Sequence, residues 1–347
     1  MSSATPTLNH RDYRHERVLV TGATGFIGGN LAAGLLDAGA DVFVIERDRK
    51  AHSTLRALGI EDRVSIVSGD ICDLALMERV FAEHEITYAF HLAAQAIVGT
   101  ANSNPISTFE ANIAGTWCTL EGARRCKTLK GIVVASSDKA YGVHEKLPYD
   151  EGYALNGRYP YDASKACADI IAQSYSLTYG VPLAITRNAN TYGPGDLNWS
   201  RLVPDAVRCA VEGRPFTIRS DGLMKRDYMY VGDAVDGYML LAKSLDRADV
   251  RGQAFNFGTG EPRTVLEVAS LIRDIAGGPN PIVLNQAKYE IPNQWLDISK
   301  ASQEWGWSAQ VSLRQGLEET VRWYRAYHDR VASRIAVKKS PGPISQS

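Results

Sequence analysis

The chain has 347 residues, of which 45% are apolar and 22% are charged, a composition typical of folded rather than disordered proteins. Lys and Arg total 38 against 39 Asp and Glu, so the net charge of −1 provides no positive field for nucleic acid or an anionic membrane. No apolar run approaches the roughly 18 residues that span a bilayer, and residues 1–17 lack the apolar core of a signal peptide. We therefore expect a soluble, cytoplasmic protein with no nucleic-acid or membrane partner.

The cysteines and histidines form no metal or disulfide pattern. The five cysteines are odd in number and none belongs to a CxxC pair, and the seven histidines include no HExxH arrangement. We expect reduced thiols, no disulfide framework and no metal.

Between residues 17 and 187, short β-branched segments alternate with longer segments of helical period. Strands alternating with helices imply right-handed crossovers and a parallel sheet covered by helices on both faces. The sequence therefore predicts an α/β protein with a Rossmann-type doubly wound sheet over residues 16–192. The strands are predicted at 17–20, 41–45, 64–67, 88–91, 131–136 and 182–187, and the helices at 26–38, 74–84, 105–126 and 161–179.

Beyond residue 192 the pattern becomes irregular. We expect residues 193–330 to form mainly a smaller substrate-binding lobe at the carboxyl edge of the sheet, with some segments returning to the sheet. The ends of the chain, residues 1–15 and 331–347, are predicted to be flexible tails. Within the lobe, helices are predicted at 202–212, 265–276 and 313–327, and an extended segment at 216–218.

The turn between the first strand and the first helix is rich in glycine. Gly22 can form the tight turn, Gly25 can let the backbone approach a pyrophosphate, and Gly28 can let the helix pack close to the sheet. Unpaired N–H groups and the helix dipole then attract the anion. The turn predicts a dinucleotide-binding site made of Gly22, Thr24, Gly25, Phe26, Ile27 and Gly28.

The ends of the next three strands provide candidate contacts for the rest of a dinucleotide. Glu46 ends the second strand, where a carboxylate accepts hydrogen bonds from the adenosine ribose, so NAD is favoured over NADP. Arg47 follows directly and could reverse this preference. Asp70 and Ile71 end the third strand, where the carboxylate could meet the adenine amino group. Small residues that permit close approach of a cofactor dominate the end of the fourth strand: Leu92, Ala93, Ala94 and Gln95.

Ser137, Tyr161 and Lys165 are the strongest candidates for chemistry. Tyr161 and Lys165 are four residues apart and share one face of a predicted helix. A cationic Lys165 beside the phenol would lower the pKa of Tyr161 from about 10, which produces a general base for an alcohol. Ser137, at the end of the fifth strand, can bond to the same oxygen.

Together, these segments resemble the extended short-chain dehydrogenase/reductase family, which contains nucleotide-sugar epimerases and dehydratases. The resemblance runs from about residue 17 to residue 327, and TGATGFIG at 21–28, HLAAQ at 91–95 and YDASK at 161–165 carry it. It implies bound NAD, a nucleotide-sugar substrate and transient oxidation at sugar C4 by hydride transfer.

Two later segments extend the resemblance. In RNANTYGP at 187–194, Asn190 would hold the nucleotide diphosphate, and in RDYMYV at 226–231, Arg226 would clamp it. Asn188 and Ala189 depart from the pattern, since related sequences often have Cys and Gly there. The resemblance also assigns substrate contacts to Gln95, Asn198, Arg201, Leu202 and Val203.

The residues after Ser137 indicate which reaction follows the oxidation. In family members that only epimerise at C4, small or hydroxylated residues usually stand there, whereas 4,6-dehydratases carry an acid for the leaving C6 hydroxyl, the position of Asp138. Lys139 replaces the Glu of dTDP-glucose and GDP-mannose dehydratases. Together with GDLNWSR at 195–201 and VPD at 203–205, the Asp-Lys pair is more similar to CDP-glucose 4,6-dehydratases. Lys139 would be either the base at C5 or a cation that stabilises the enolate.

Two alternatives remain open. A nucleotide-sugar 4-epimerase would return the hydride to C4 and lose no water. A non-catalytic dinucleotide-binding sensor on the same fold would typically lack the Tyr-Lys pair that this chain keeps.

The resemblance also implies a homodimer. Helices 105–126 and 161–179 of two subunits would form a four-helix bundle in one isologous contact. Candidate contact residues are Ile106, Phe109, Ile113, Trp117, Ile170 and Tyr175.

Overall fold

The computed structural model describes residues 10–49, 53–286 and 293–339. Its strands, in chain order, are β1 (Arg17–Thr21), β2 (Asp41–Glu46), β3 (Ser65–Ser68), β4 (Tyr88–His91), β5 (Gly131–Ala135), β6 (Leu183–Asn188), β7 (Asn190–Tyr192), β8 (Thr217–Ile218), β9 (Lys225–Tyr230), β10 (Ala254–Phe257), β11 (Pro262–Thr264), β12 (Ile282–Val283) and β13 (Asn293–Gln294). Its α-helices are α1 (Phe26–Asp37), α2 (Thr54–Leu58), α3 (Leu74–Glu83), α4 (Val98–Ser103), α5 (Pro105–Phe109), α6 (Gly115–Arg125), α7 (Pro160–Tyr179), α8 (Leu202–Val211), α9 (Val231–Lys243), α10 (Val265–Ala276), α11 (Ser299–Trp305) and α12 (Leu313–Lys339).

A seven-stranded parallel sheet forms the centre of the fold, in the order β10-β6-β5-β4-β1-β2-β3. The strand order reverses at β1, because β2 and β3 extend to one side of it and β4, β5 and β6 to the other. This arrangement confirms the predicted Rossmann-type doubly wound sheet. A ligand crevice is expected at the switch point, outside the carboxyl ends of β1 and β4.

Helices cover both faces of this sheet. On one face α1 and α9 bury residues such as Leu31 and Leu241, and on the other α3 and α6 bury Phe81 and Leu120. The strands between them are apolar on both sides, as expected for parallel strands, and every residue of β6 is buried. The packed layers therefore hold the carboxyl ends of the strands in fixed positions.

A second, smaller sheet lies in the later part of the chain. Its strand β9 pairs with β7, β11 and β13, and α8, α10 and α12 bury Val207, Ile272 and Leu317 beside it. Because only one residue separates the end of β6 from the start of β7, this lobe starts at the carboxyl edge of the central sheet. The lobe is thus placed beside the crevice.

The segment before β1 differs from the predicted flexible tail over residues 10–15. Tyr13 is fully buried, its ring packs edge-on against Tyr88, and its hydroxyl donates to the Met239 carbonyl at 3.0 Å. His10 also contacts Asp236 of α9, at 2.9 Å. The buried ring, the hydrogen bond of its hydroxyl and the contact of His10 with α9 together anchor this polar segment. Residues 1–9 lie outside the described residues.

The C-terminal tail is also shorter than predicted. Residues 331–339 continue α12, whereas the helix was predicted to end at 327 and the tail to begin at 331. The segment contains no Gly or Pro before Pro341, so nothing in it ends the helix. Residues 340–347 lie outside the described residues. Over the described ranges, no helix is long and apolar enough to cross a membrane.

Candidate active site

The glycine turn after β1 has the shape needed for a phosphate. Gly22 has a φ of +78°, and a Cβ there would lie 2.6 Å from the Ala93 nitrogen. A Cβ at Gly28 would lie 2.4 Å from the Gly22 carbonyl oxygen. Gly25 begins α1 without a side-chain cap, so N–H groups of the first turn remain available at the positive end of a 12-residue helix. This backbone leaves room for a phosphate to approach the turn, and the assignment of the dinucleotide to Gly22, Thr24, Gly25, Phe26, Ile27 and Gly28 stays a prediction.

Glu46 and Arg47 lie at the carboxyl end of β2, beside the turn after β3. The guanidinium of Arg47 pairs with Asp48 at 2.8 Å and lies 3.7 Å from Asp70. The Cys72 N–H donates to Asp70 at 3.0 Å, which fixes that carboxylate, while Ile71 is buried. The carboxylates of Asp48 and Asp70 thus lie beside the Arg47 guanidinium. Their negative charge makes Arg47 less able to attract the 2′-phosphate of NADP, which favours NAD.

The segment after β4 is held by hydrogen bonds to Thr21 of β1. The N–H groups of Leu92 and Ala93 donate to the backbone oxygen and the hydroxyl of Thr21, each at 3.2 Å. His91 lies between the hydroxyls of Thr21 and Thr116, at 2.9 and 3.1 Å. Burial lowers the pKa of His91 to about 3, so this ring is neutral and structural. Ala94 and Gln95 follow as a partly exposed segment beside the glycine turn.

Asn112 holds this segment against α7, a role that the sequence analysis missed. Its side chain accepts from the Gln95 N–H at 2.7 Å and donates to the Gln95 carbonyl at 3.2 Å and to the Ser164 hydroxyl at 2.8 Å. Asn112 lies in a π-helical turn, Glu110–Ala114, that interrupts the predicted helix 105–126. An Asn in the middle of a helical pattern was the available signal, because its amide competes with the backbone.

Tyr161 and Lys165 lie one turn apart at the start of α7, as predicted. The ammonium of Lys165 donates to the Ala135 carbonyl at the end of β5. Burial lowers the pKa of Lys165 to about 8, while the carboxylate of Asp169 opposes that shift.

The expected lowering of the Tyr161 pKa is not found. Burial of the phenol raises its pKa to about 12, although the Arg201 charge and a hydrogen bond with Ser137 pull it down. The physical reason is that the Lys165 ammonium is directed at a backbone carbonyl, and that the nearby carboxylate of Asp138 further disfavours a phenolate.

Asp138 and Lys139 open a short 3-10 helix, Asp138–Tyr141, directly after Ser137. The Ser137 hydroxyl donates to Asp138 at 3.0 Å and accepts from the Lys139 N–H at 3.2 Å. Gln294, fully buried in β13, accepts from the Lys139 ammonium at 2.5 Å and donates to the Asp138 carbonyl at 2.9 Å. Sequence reasoning missed Gln294, because it follows 155 residues later in an irregular lobe and no motif identifies it.

Asp162 is a second buried carboxyl beside this pair, also missed from the sequence. Burial raises its pKa to about 6; the Lys139 charge opposes the shift and the Asp138 charge adds to it. Asp138, Lys139, Tyr161, Asp162 and Gln294 are called the reactive cluster below. Acids and bases with different environments in one confined space can exchange protons with a substrate near neutral pH.

A separate group, the anchoring network, fixes α7 one turn further along. Arg187 of β6 forms a buried ion pair with Asp169 of α7 at 2.9 Å and donates to the Tyr141 hydroxyl at 3.0 Å. That hydroxyl donates to Asn256 of β10 at 2.7 Å. The network ties together β6, β10, α7 and the 3-10 helix that carries Asp138 and Lys139.

The substrate residues assigned by resemblance lie around the same edge. Asn190 is in β7, paired with Tyr228, and Arg226 of β9 is in register with Gln294. The guanidinium of Arg201 pairs with Asp196 at 3.0 Å and its charge acts on Tyr161. Asn198, Leu202 and Val203 flank Arg201, with Val203 buried in the lobe, and the side chain of Gln95 accepts from the Ile97 N–H at 2.8 Å. Within the described ranges, no three His, Cys, Asp or Glu side chains are grouped so that they could hold a metal.

Comparison with known proteins identifies the family of the chain. The model of the NAD dependent epimerase/dehydratase family matches residues 18–258. The dTDP-glucose 4,6-dehydratase of Haemophilus influenzae is 32% identical over 88% of this chain and 97% of that protein. The CDP-glucose 4,6-dehydratase of Salmonella typhimurium is 29% identical over 91% and 92%.

Among solved structures, the UDP-glucose 4-epimerase of Thermotoga maritima, with UDP-glucose, superimposes with a TM-score of 0.82 at 30% identity, covering 89% of this chain and 99% of that one. Since the family model spans more than half of the chain, the family resemblance read from the motifs is confirmed. The chain belongs to the NAD dependent epimerase/dehydratase family.

Proposed function

We propose that this protein is a nucleotide-sugar 4,6-dehydratase that converts an NDP-hexose, CDP-glucose in the first instance, into an NDP-4-keto-6-deoxyhexose. The observation that carries the proposal is the pair of the buried Asp138 and the partly buried Lys139, held by Gln294 next to Ser137 and Tyr161. An epimerase needs no acid at this place, whereas elimination of water needs one for the leaving hydroxyl and a base for the adjacent C–H.

NAD would be held by the glycine turn, by Glu46 at the ribose and by the segment from Leu92 to Gln95. When bound, NAD supplies a reversible hydride acceptor and a positive charge beside the phenol. Tyr161 removes the proton of the C4 hydroxyl, with Ser137 bonded to the same oxygen. Because the pKa of Tyr161 is about 12 in the protein alone, the phenol needs added positive charge before it acts as a base.

Asp138 donates a proton to the C6 hydroxyl as it leaves. A keto group at C4 acidifies the C5 proton, so a neutral Lys139 can remove it, or a charged Lys139 can stabilise the enolate. Asp162, with a pKa of about 6, is close enough to both groups to influence either role. The group that took the C5 proton, or solvent, would protonate C5 again as the hydride held by NAD returned to C6, so the overall elimination of water would consume no NAD.

The lobe formed mainly by residues 193–330 would bind the nucleotide diphosphate. Asn190 lies in β7, which pairs with β9, and Arg226 lies in β9 itself. Arg201 lies near Tyr161. An anionic diphosphate bound there would interact favourably with the Arg226 and Arg201 guanidinium groups. Asn198, Leu202, Val203 and Gln95 complete the proposed contacts. The Asp-Lys pair supports cytidine as the base, whereas the identities of 29% with a CDP-glucose and 32% with a dTDP-glucose 4,6-dehydratase support only the class of reaction.

The second candidate is a nucleotide-sugar 4-epimerase, favoured by the TM-score of 0.82 with a UDP-glucose 4-epimerase. It would share the oxidation at C4 and return the hydride to C4. Asp138 would then have no leaving hydroxyl to protonate.

The substitution Asp138→Asn separates the two reactions. A dehydratase variant should still oxidise C4 but eliminate water slowly, so NADH accumulates and absorbs near 340 nm, as reduced nicotinamide does. The parent enzyme in D₂O should place deuterium at C5. Asp62→Asn, an exposed carboxylate elsewhere, is the matched control and should behave as the parent. A product that keeps its C6 hydroxyl and is inverted only at C4 would contradict dehydration.

We also propose that the protein is a homodimer. Ile106, Phe109, Trp117 and Ile170 expose large apolar surfaces on the α5–α6 segment and on α7, and Leu177 of α7 is 82% exposed. Ile113 and Tyr175 are partly buried on the same helices. Several exposed apolar side chains on two helices that pack against each other favour association with a second copy. Light scattering should give twice the 37.9 kDa of one chain, and Ile170→Glu should shift the mass toward one chain.

A further inference from the structure

Asn188, the last residue of β6, has a buried amide without a partner. The residue is 7% exposed, and among the described residues neither its side-chain oxygen nor its nitrogen has a hydrogen-bond partner. Buried side-chain amides in proteins are nearly always hydrogen-bonded, so an unpartnered one needs an explanation. Both a donor and an acceptor are available here on the same planar group.

The position of Asn188 points to the crevice. The Ser136 N–H donates to the Thr186 carbonyl at 2.8 Å, and Ala135 of β5 is in register with Thr186 of β6. Continued by two residues, this register brings Asn188 opposite Ser137 and to the same face of the sheet, because side chains alternate along a strand. Ser137 in turn hydrogen-bonds to Tyr161. Asn188 therefore lies at the carboxyl edge, beside the residues that handle the C4 proton.

The topology indicates which half of the cofactor reaches this place. The pyrophosphate turn is at the switch point, and Glu46 marks the adenosine side at the end of β2. In a doubly wound sheet the two halves of a dinucleotide extend to opposite sides of the switch point. The other half, which carries the nicotinamide, therefore lies over the ends of β4, β5 and β6, where Asn188 is found.

We propose that the side chain of Asn188 pairs with the carboxamide of the nicotinamide. That carboxamide presents one carbonyl acceptor and one NH₂ donor, the same two groups that Asn188 presents, so each amide can satisfy the other. The pairing orients the ring in the crevice, which makes Asn188 a cofactor-positioning residue. It applies equally to a dehydratase and to an epimerase, so it does not depend on the proposed reaction.

The test compares the binding of NAD with that of an analogue whose carboxamide is replaced by an acetyl group. The analogue keeps the carbonyl acceptor and lacks the donor. The full chain is loaded with NAD and titrated with the analogue, and bound nucleotide is measured after filtration. We expect the parent to prefer NAD by about tenfold, the usual worth of a buried hydrogen bond whose partner is left unmade. A parent that binds both equally overturns the proposal without any variant.

Two variants sharpen the test. In Asn188→Leu, of similar volume but without polar atoms, the preference for NAD should fall to near one, and Asn188→Ser, which is too short for the pairing, should lose it as well. Glu46→Gln is the matched control, because it should weaken the binding of NAD and of the analogue by the same factor and leave the ratio of the two affinities unchanged. An unchanged ratio in both Asn188 variants overturns the proposal.

A sugar hydroxyl also donates and accepts, so a second arm distinguishes the sources. If the partner were a hydroxyl of the substrate, Asn188→Leu would weaken the binding of CDP-glucose to the NAD-loaded chain and leave the ratio of the two dinucleotides unchanged. That result would overturn the nicotinamide assignment. A lost ratio with unchanged CDP-glucose binding supports it.

Discussion

Two groups of buried polar side chains meet α7 within three turns of each other, and they differ in how their charges are satisfied. In the anchoring network, Arg187 and Asp169 form an ion pair whose members are also bonded to other groups, including the Tyr141 hydroxyl. In the reactive cluster, Asp162 has no opposite charge that cancels the cost of its burial, and its pKa rises to about 6. Both groups are desolvated, so burial alone does not distinguish them.

The difference shows how one helix can be both rigid and reactive. A fully paired network holds β6, β10 and α7 together, and the hydrogen bonds and charge of Asp169 raise the pKa of Arg187 above its usual value despite its burial. An incompletely paired cluster keeps groups that can gain or lose protons. Substitutions in the network should therefore affect stability first, and those in the cluster should affect chemistry first.

The largest expected effect comes from Tyr161→Phe in the reactive cluster. Removing the hydroxyl should lower turnover by about 10²–10⁴-fold, the contribution of a positioned general base. Binding of NAD and of the nucleotide sugar should change little, and the melting temperature should stay close to that of the parent. Steady-state rates, together with binding titrations, check this. Activity within about tenfold of the parent would remove Tyr161 from the role of base.

The reverse pattern is expected for Arg187→Met in the anchoring network. Breaking a buried ion pair leaves Asp169 charged and unpaired, which costs about 3–5 kcal/mol of unfolding free energy. Denaturant unfolding measures that loss. The double variant Arg187→Met with Asp169→Leu should recover part of it, because no unpaired charge remains. A single variant as stable as the parent would show that the network does not anchor α7.

Asp162→Asn should stabilise the protein only at pH values above the pKa of the carboxyl in the unfolded chain, 3.8. Because the pKa of Asp162 in the folded chain is about 6 against 3.8 in the unfolded chain, folding disfavours its ionised form. This penalty is absent below about pH 4, grows as the pH rises to about 6 and is complete above it. We expect the variant to gain up to about 3 kcal/mol at pH 7 and less than about 1 kcal/mol at pH 4. A gain independent of pH would contradict this account.

The smallest expected effect is a shift in the pH profile of Gln294→Glu. A carboxylate in place of the neutral amide would favour the charged form of Lys139, because opposite charges attract. If Lys139 is the base at C5, the rate at pH 7 should fall and recover at higher pH. If Lys139 acts as a cation, the rate of the variant at pH 7 should stay close to that of the parent. Gln294→Met, which removes both hydrogen bonds, is the control for mere loss of positioning.

Local patterns in the sequence were enough for the cofactor half of the molecule. The glycine turn joins two elements that are neighbours in the chain, and Tyr161 and Lys165 are one helical turn apart, so spacing alone predicts their geometry. The predicted order of strands and helices holds over the central sheet for the same reason. The family model that matches residues 18–258 covers this regular part of the chain.

The rest depended on contacts between distant parts of the chain. No spacing connects Gln294 with Asp138, and no composition predicts that Tyr13 is buried against α9. The packing of residues 10–15 against α9 and the continuation of α12 to residue 339 were not predicted, because polarity alone shows neither a long-range contact nor the end of a helix.

By itself, the sequence determined the Rossmann-type sheet, the glycine turn after its first strand and the one-turn spacing of Tyr161 and Lys165, because these follow from periodicity and from residues close together in the chain. Only the tertiary structure decided the protonation of those groups. The pKa values of Tyr161 and Asp162, near 12 and 6, depend on how far each group is removed from water and on charges brought close by folding. Desolvation and Coulomb interaction act through space, so the order of residues along the chain does not encode them directly.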